Sequence, residues 1–477
     1  GTPDVANTVA VLDAVNIQAH HITDTLFWTA DLLATGDLVE LPAGIMRGAF
    51  GVEYRKTEVE DDQDAGRNQC DWHEGGCGDD WQAEQDVWSG YFELSIPALS
   101  NLELTLAGRY TDYGGSIGSS FDPKFAALWQ PLDILSVRAS WSSAFIAPTI
   151  TQQFAAEDCG LQTMQDNLTR DESATFRVAC VSGNPNLSAE EADTFNIGFS
   201  LNLLDGDLTL GIDYANYDFQ DRIATETGNN VLRANFADFV ASGGQRCAET
   251  GPCGVADSDN DGLSDDVEAW IANNEPDIFR DSTGVVTRVI VERLNAQEME
   301  HTAWDFYARY NLSLNNLGDF VFGLNATLAD EYTYDLGTGD PADQGDGVGN
   351  QNEQVSEIPP IPELRVVGTA DWFYGNHAAR IRVRWIDSFE LQFNSGGLQT
   401  LHGLLYGTQE VDDIYYIDLN YKYTFDRLLG DRETTFEIGA NNVTDEFPDP
   451  FYNLGGIETF VHDVRGRMWY VRINQDI

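Results

Sequence analysis

The stretch Tyr415-Tyr-Ile-Asp-Leu-Asn-Tyr-Lys-Tyr-Thr-Phe425 alternates strictly. Tyr415, Ile417, Leu419, Tyr421, Tyr423 and Phe425 fall on one side, and Tyr416, Asp418, Asn420, Lys422 and Thr424 on the other. Successive side chains of an extended strand point to opposite faces, so this segment is a strand with one apolar, aromatic face and one polar face. The same reading holds for Phe195–Leu203, with Ile197, Phe199 and Leu201 between polar residues, and for Trp304–Leu312, with Phe306, Ala308 and Tyr310. About fifteen such segments run through the chain, near 26–34, 44–58, 86–96, 102–113, 121–130, 135–144, 190–204, 208–221, 298–314, 320–336, 363–373, 377–389, 412–425, 434–443 and 463–476. A soluble sandwich supplies a few strands of this kind. So many of them predict an all-β, antiparallel transmembrane β-barrel.

The connections sort into two classes. Short ones fall at Ala98–Asn101, Pro131–Asp133, Asp205–Asp207, Asn315–Asp319 and Tyr374–Asn376. Long ones fall at 59–85, 145–189, 222–297, 337–362, 390–411 and 444–462. They alternate along most of the chain, with Gly114–Ser120 as a short member of the second class. Outer-membrane barrels have short periplasmic turns and long outer loops, so every long loop is expected on the outer side. The largest, 222–297, is expected to be an extracellular insertion carrying a short helix at 264–273 and a β-ribbon at 284–295. Segment 8–22 reads equally as a loop helix or a further strand.

Composition agrees with a membrane barrel bearing wet loops. The 477 residues carry 79 Asp and Glu against 26 Lys and Arg, a formal net charge of -53. Phosphate neutralisation needs basic side chains, so nucleic acid is excluded as a partner. The acid excess reads either as a solvated acidic surface or as one that collects cations. Mean hydropathy is -0.31. No apolar run is long enough for a transmembrane helix, which a barrel does not need. The start, Gly1-Thr-Pro-Asp, shows no signal peptide, so the chain is read as processed or as a fragment.

The six cysteines, at 70, 77, 159, 180, 247 and 253, all lie in predicted long loops. Their clustering predicts the disulfides Cys70–Cys77, Cys159–Cys180 and Cys247–Cys253 in an oxidising compartment. One loop also carries Asp257-Ser-Asp259-Asn-Asp261-Gly262-Leu263-Ser-Asp265-Asp-Val-Glu268. This is EF-hand spacing: side-chain oxygens at Asp257, Asp259, Asp261, Asp265 and Glu268, the backbone carbonyl of Leu263, and glycine at the sharp turn. Hard oxygens in that number suit Ca2+. The expected role is structural, ordering a loop expected to have little core of its own. The competing reading is an ordinary acidic turn.

Several stretches resemble the TonB-dependent receptor family of outer-membrane transporters. Gly183-Asn-Pro-Asn-Leu-Ser-Ala-Glu-Glu-Ala-Asp-Thr-Phe-Asn-Ile-Gly198 is similar to the segment that leads into one of its strands. Trp141-Ser-Ser-Ala-Phe145-Ile-Ala-Pro148 resembles its Phe-Arg-Ala-Pro element, with Ile146 in place of arginine. Gly439-Ala-Asn-Asn-Val-Thr-Asp445 resembles a late strand end, and Gly36–Gly44 followed by Gly51-Val-Glu-Tyr-Arg55 a turn and strand. The final strand, with Trp469, Val471 and Ile473, is similar to a barrel assembly signal, although it ends in Ile477 rather than phenylalanine.

The resemblance implies a 22-stranded barrel filled by an N-terminal plug. On that reading the chain supplies the last fifteen or so strands, and the plug and TonB box lie outside it. It also implies an active-transport receptor in the Gram-negative outer membrane. Such a receptor takes up a scarce large nutrient (siderophore, cobalamin or oligosaccharide) with energy from the TonB system. A passive porin of about sixteen strands and a calcium-dependent surface binding module are the alternatives.

The expected inner face carries a basic ladder, Arg380, Arg382 and Arg384, with Ile381, Val383 and Trp385 toward lipid. Arg365, Arg109 and Arg138 share the inner side, with Asp371 and Glu53 nearby. The ladder reads as a path for an anionic substrate, or as charge pairing across strands and against a plug. Trp72, Trp81, Trp270 and Phe154 read as ligand-stacking aromatics or as small loop cores. No nucleophile elbow, phosphate loop or histidine metal motif is present, so no enzyme activity is expected.

Overall fold

The computed structural model describes residues 20–69, 77–169, 175–248, 253–259, 262–337, 344–352, 358–391, 404, 407–427, 432–450 and 457–475. Among these, fifteen long strands form one antiparallel sheet in chain order. They are β1 His21–Leu41, β2 Gly44–Gln63, β3 Trp81–Leu99, β4 Leu102–Gly114, β5 Gly118–Leu132, β6 Leu135–Ile146, β7 Glu190–Leu203, β8 Leu208–Thr225, β9 Arg293–Leu314, β10 Gly318–Asp335, β11 Leu364–Tyr374, β12 His377–Ile386, β13 Ile414–Phe425, β14 Thr434–Asn441 and β15 Met468–Gln475. Each corresponds to one predicted strand. Every neighbour pairing is sequential and antiparallel, an up-and-down meander.

The alternation sets the register. Leu419 pairs with Ile381 and Ala440, so one face is apolar across three strands. That face stays open to its surroundings: Leu419, Tyr421, Ile381, Phe125 and Trp129 are all exposed. A water-soluble sheet of this size would bury such a surface, and hydrocarbon is the solvent that suits it. About ten tilted residues span the hydrocarbon layer. β9 has 22 residues and β1 has 21, so these strands extend well past it.

The sheet is open. Among the described residues β1 pairs only with β2, and β15 only with β14. The described strands therefore number about the fifteen expected from sequence as part of a larger barrel, and they form a curved wall with two free edges. The ambiguous segment 8–22 lies outside the described residues up to residue 19, and its last two residues begin β1.

The buried apolar core is not between sheets but at the end where the long connections gather. There the connections 147–189 and 226–292 fold together. Strands Ile278–Arg280, Val286–Val291, Thr175–Val181 and Asp158–Met164 form a separate four-stranded sheet in that order. Val286–Val291 runs parallel to Thr175–Val181, with Arg288 opposite Val178, although the two come from different connections. Helix Gly228–Ala241 packs over this sheet through Leu232, against Met164, Ala179, Ile278, Val286, Val289 and Val291. Helix Asp265–Asn274 adds Val267 to a second core with Leu168 and Phe239.

Two expectations change here. The ribbon predicted at 284–295 is split: Val286–Val291 is an inner strand of the small sheet, and Arg293 already starts β9. The large connection also has a substantial core, contrary to the reading that it has little. Its apolar residues are shared with a second connection, which a reading of either segment alone does not reveal.

Candidate functional site

The polar faces of β2–β15 line the inner wall, and its charges are paired across strands. The Arg380 guanidinium donates to Asp371 at 2.5 and 3.1 Å. Arg384 donates to Asp418 at 3.4 Å, and Arg109 to Glu53 at 2.9 Å. Glu437 accepts from Asn420 at 2.6 Å and faces Lys422 and Arg472 at 3.3 and 3.5 Å. Arg138 reaches across β7 to Asp213 on β8, with Nε at 2.8 Å. Gly198 makes that reach possible. A Cβ there would sit 1.8 Å from the Asp213 carboxylate and 2.8 Å from Arg138 Nε.

Arg380 and Arg384 of the predicted ladder thus meet carboxylates on neighbouring strands. Arg382, between them, opens on a cavity of about 290 Å3 lined also by Asp371, Asn420, Lys422, Glu437 and Tyr470. Arg365 stands elsewhere, in a cleft at the long-connection end with His301, Tyr332, Pro360 and Phe460.

Above this wall, two connections cover part of the mouth. Phe389–Glu390 pairs with Glu410–Val411, and Phe389, Leu391 and Val411 form a small core. His462 packs tilted against Phe389, with ring centroids 5.7 Å apart, and is only 5% exposed. Burial, reinforced by the Arg365 charge, pushes the imidazole down to about 4. Asp463 follows. Hydrogen bonds from Arg465, both at 2.8 Å, hold its carboxyl at about 2.

The sign for His462 is the acid-destabilised one. Its folded pKa lies below the ordinary 6.5, so the seat is fully stable above that value and weakens as pH falls toward 4. Amide protection in 457–467, corrected for intrinsic exchange, is expected to fall by up to about tenfold per pH unit across that window. His462→Phe should remove the dependence.

The folded body at the mouth is fixed by charge and by disulfides. Arg280 donates to Asp166 at 2.5 Å and to Glu275 at 2.7 and 2.9 Å. All three side chains are at most 4% exposed. Cys159–Cys180 links neighbouring strands of the small sheet, with S–S 2.04 Å, and Cys247–Cys253 closes a short loop, with S–S 1.94 Å. Cys77 is disulfide-bonded, while its predicted partner Cys70 lies outside the described residues.

Of the predicted calcium ligands, Asp257, Asp259, Leu263, Asp265 and Glu268 are described, and Asp261 is not. Gly262 takes φ +99°, the left-handed turn its position demands. Ser264 caps the helix that begins at Asp265, which puts Glu268 in its first turn. Asp257 Oδ1 is buried with no hydrogen-bond donor. The Asp265 carboxylate accepts from the Ser258 N–H and hydroxyl at 2.8 and 2.7 Å.

Among the aromatics, Trp270 packs edge-on to Phe239 and donates to Asn235, a loop-core role. Trp81 opens β3, Phe154 is 43% exposed, and Trp72 lies outside the described residues. Sequence reasoning missed the Arg280 triad and the His462–Asp463 pair. Arg280 carried one usable signal, as a cation in a strongly acidic segment that follows Ile278-Phe279 and precedes the apolar-rich run 285–291.

An up-and-down sheet with an apolar outer face, a charged inner wall and heavy loops at one end defines an outer-membrane β-barrel protein. The family model described as TonB dependent receptor-like, beta-barrel matches residues 6–443. The chain belongs to that family, and its place is the Gram-negative outer membrane. Comparison with curated proteins finds no match.

Among solved structures, a mutant of the ferric enterobactin receptor of Pseudomonas aeruginosa is similar at 13% identity and TM-score 0.60, covering 94% of this chain and 54% of that one. A siderophore receptor of Acinetobacter baumannii gives 14% and 0.58, over 95% and 55%. An outer membrane transporter of Escherichia coli gives 11% and 0.59, over 95% and 54%. At such identities the likeness is one of fold. The chain spans about half the length of these proteins.

Proposed function

We propose that this chain is the barrel portion of a receptor that captures a scarce large nutrient at the cell exterior and imports it with TonB energy. The observation that carries this reading is the inner wall. Many of its charges, Arg380, Arg384, Arg109 and Arg138 among them, have cross-strand partners, yet it retains open cavities, and a folded, disulfide-held body stands at the long-connection end. A passive porin needs a wet bore but no such body. The plug that would fill the bore is proposed to belong to the same receptor, outside this chain. The structural neighbours described as siderophore receptors favour a siderophore over cobalamin or an oligosaccharide.

The test is growth of a strain deleted for the full-length gene, with single nutrients supplied as sole sources. The reading expects loss of growth on one ferric siderophore, restored by the gene but not by a copy lacking its TonB-binding segment. Unimpaired growth on every candidate, or full rescue by that truncated copy, would count against it.

We further propose that 257–268 binds Ca2+ as a structural ion. The unsatisfied Asp257 oxygen, the turn at Gly262 and the helical Glu268 suit such a site. Asp265 is engaged by Ser258, so at that position contact through water suits the geometry, as is common there. Calcium is expected to slow protease cleavage between residues 247 and 275 by about tenfold or more, the ratio expected when bound ion far exceeds its dissociation constant. Equal cleavage with calcium and with chelator would remove the proposal.

A further inference from the structure

The mouth holds a cleft of about 390 Å3 in which Arg384, Tyr416, His462, Asp463 and Arg465 stand among Ile386, Val461 and Val464. It is basic where the protein as a whole is acidic. Two guanidinium groups converge on one carboxylate, Asp463: Arg465 in a two-pronged contact and Arg384 at 3.6 Å. Polar groups are left over. The buried Arg384 Nε–H lies 3.4 Å from Asp418 Oδ2 but makes no hydrogen bond, and both ring nitrogens of His462 are buried with no hydrogen-bond partner. A buried donor without an acceptor costs free energy, so two such residues beside one cleft indicate capacity for a further acceptor.

Tyr416 ties the same segment down. Its ring lies 4.9 Å from the Arg384 guanidinium, and its hydroxyl oxygen accepts from the Asp463 N–H at 3.2 Å. The ring is fully buried. Asp463 therefore sits where a ligand carboxylate would sit, held by groups that suit that shape.

We infer that this cleft is a carboxylate-binding site in which Asp463 is the resident occupant, and that a carboxylate-bearing ligand takes its place and releases segment 457–467 from the mouth. The exchange swaps one anion for another across Arg384 and Arg465, and the unused donors of Arg384 and His462 favour the incoming group. The inference rests on the proposed orientation, with this end of the wall facing the exterior. It names a ligand class that the import reading leaves open.

The experiment is hydrogen exchange of the peptide spanning 457–467 in the purified full-length protein, with succinate as probe and chloride at matched ionic strength as control. Succinate is expected to speed exchange roughly tenfold, the effect of losing a charge-assisted hydrogen bond. Asp463→Asn should produce that rate with no probe, and Arg384→Gln should abolish the response to succinate. Exchange in β12 and β13 reports whether either variant has misfolded, and the wild-type arm needs no variant. Equal effects of succinate and chloride, no effect of succinate, or an undiminished response in Arg384→Gln would overturn the inference. A failed growth screen alongside a positive exchange result would reject import while leaving the site standing.

Discussion

Arg280→Met is expected to destabilise the folded body at the barrel mouth by about 3–5 kcal/mol, the usual cost of removing one partner from a buried charge cluster. The guanidinium spans two carboxylates from different connections, Asp166 and Glu275, and also donates to the Gly284 carbonyl at 2.9 Å. Without it both carboxylates stay almost fully enclosed with no counter-charge. Methionine fills much of the volume, so the loss is electrostatic rather than a cavity effect. The measurement is proteolysis of the full-length protein. Cleavage should rise within 147–189 and 226–292 while the barrel keeps its heat-modifiable migration on gels. The triple variant Arg280→Met, Asp166→Asn, Glu275→Gln should recover much of the loss, because no stranded charge remains.

Leu419→Arg is expected to cost about 2–4 kcal/mol of barrel stability, the penalty for arginine on the lipid face near the bilayer centre. Leu419 is 38% exposed on a face it shares with Ile381, its cross-strand partner on β12. The matched control lies one residue over on that partner strand. Arg382→Gln, on the inner wall, should cost less than about 1 kcal/mol, as exposed charges usually do. Unfolding in lipid vesicles by urea reads both. Equal penalties would mean that the two faces meet the same solvent.

The strands were legible because one constraint acts on every residue of the wall. Each side chain meets either hydrocarbon or the polar interior, and the choice flips at every step. Tyr415 to Phe425 and Phe195 to Leu203 carry that constraint undiluted, so their strands and neighbours followed from local pattern. The fold of the long connections did not. The parallel pairing of Arg288 with Val178 joins residues more than a hundred positions apart, and no local period announces it. The disulfide Cys159–Cys180 was legible from clustering, but not its place on two paired strands of a small sheet.

The site divides along the same line. The ladder Arg380, Arg382, Arg384 was visible as an alternation. Its partners Asp371 and Asp418 are fixed by cross-strand register, which the strand pattern nearly determines. Asp463, the third partner of this ladder, comes from an irregular segment whose seat depends on Tyr416 and Phe389, and no local pattern marks it. The strand pattern also leaves the full strand number of the barrel open. The pattern counts strands but does not say where the first and last of them pair.

The central claim is that this chain forms a membrane-spanning wall with a lipid face and an inner face. Nitroxide labels placed one at a time from Tyr415 to Thr424, in the full-length protein in vesicles, test it most directly. Collision with oxygen, which concentrates in hydrocarbon, should peak at 415, 417, 419, 421 and 423 and drop at every position between. A flat profile, or peaks at the even positions, would contradict the account.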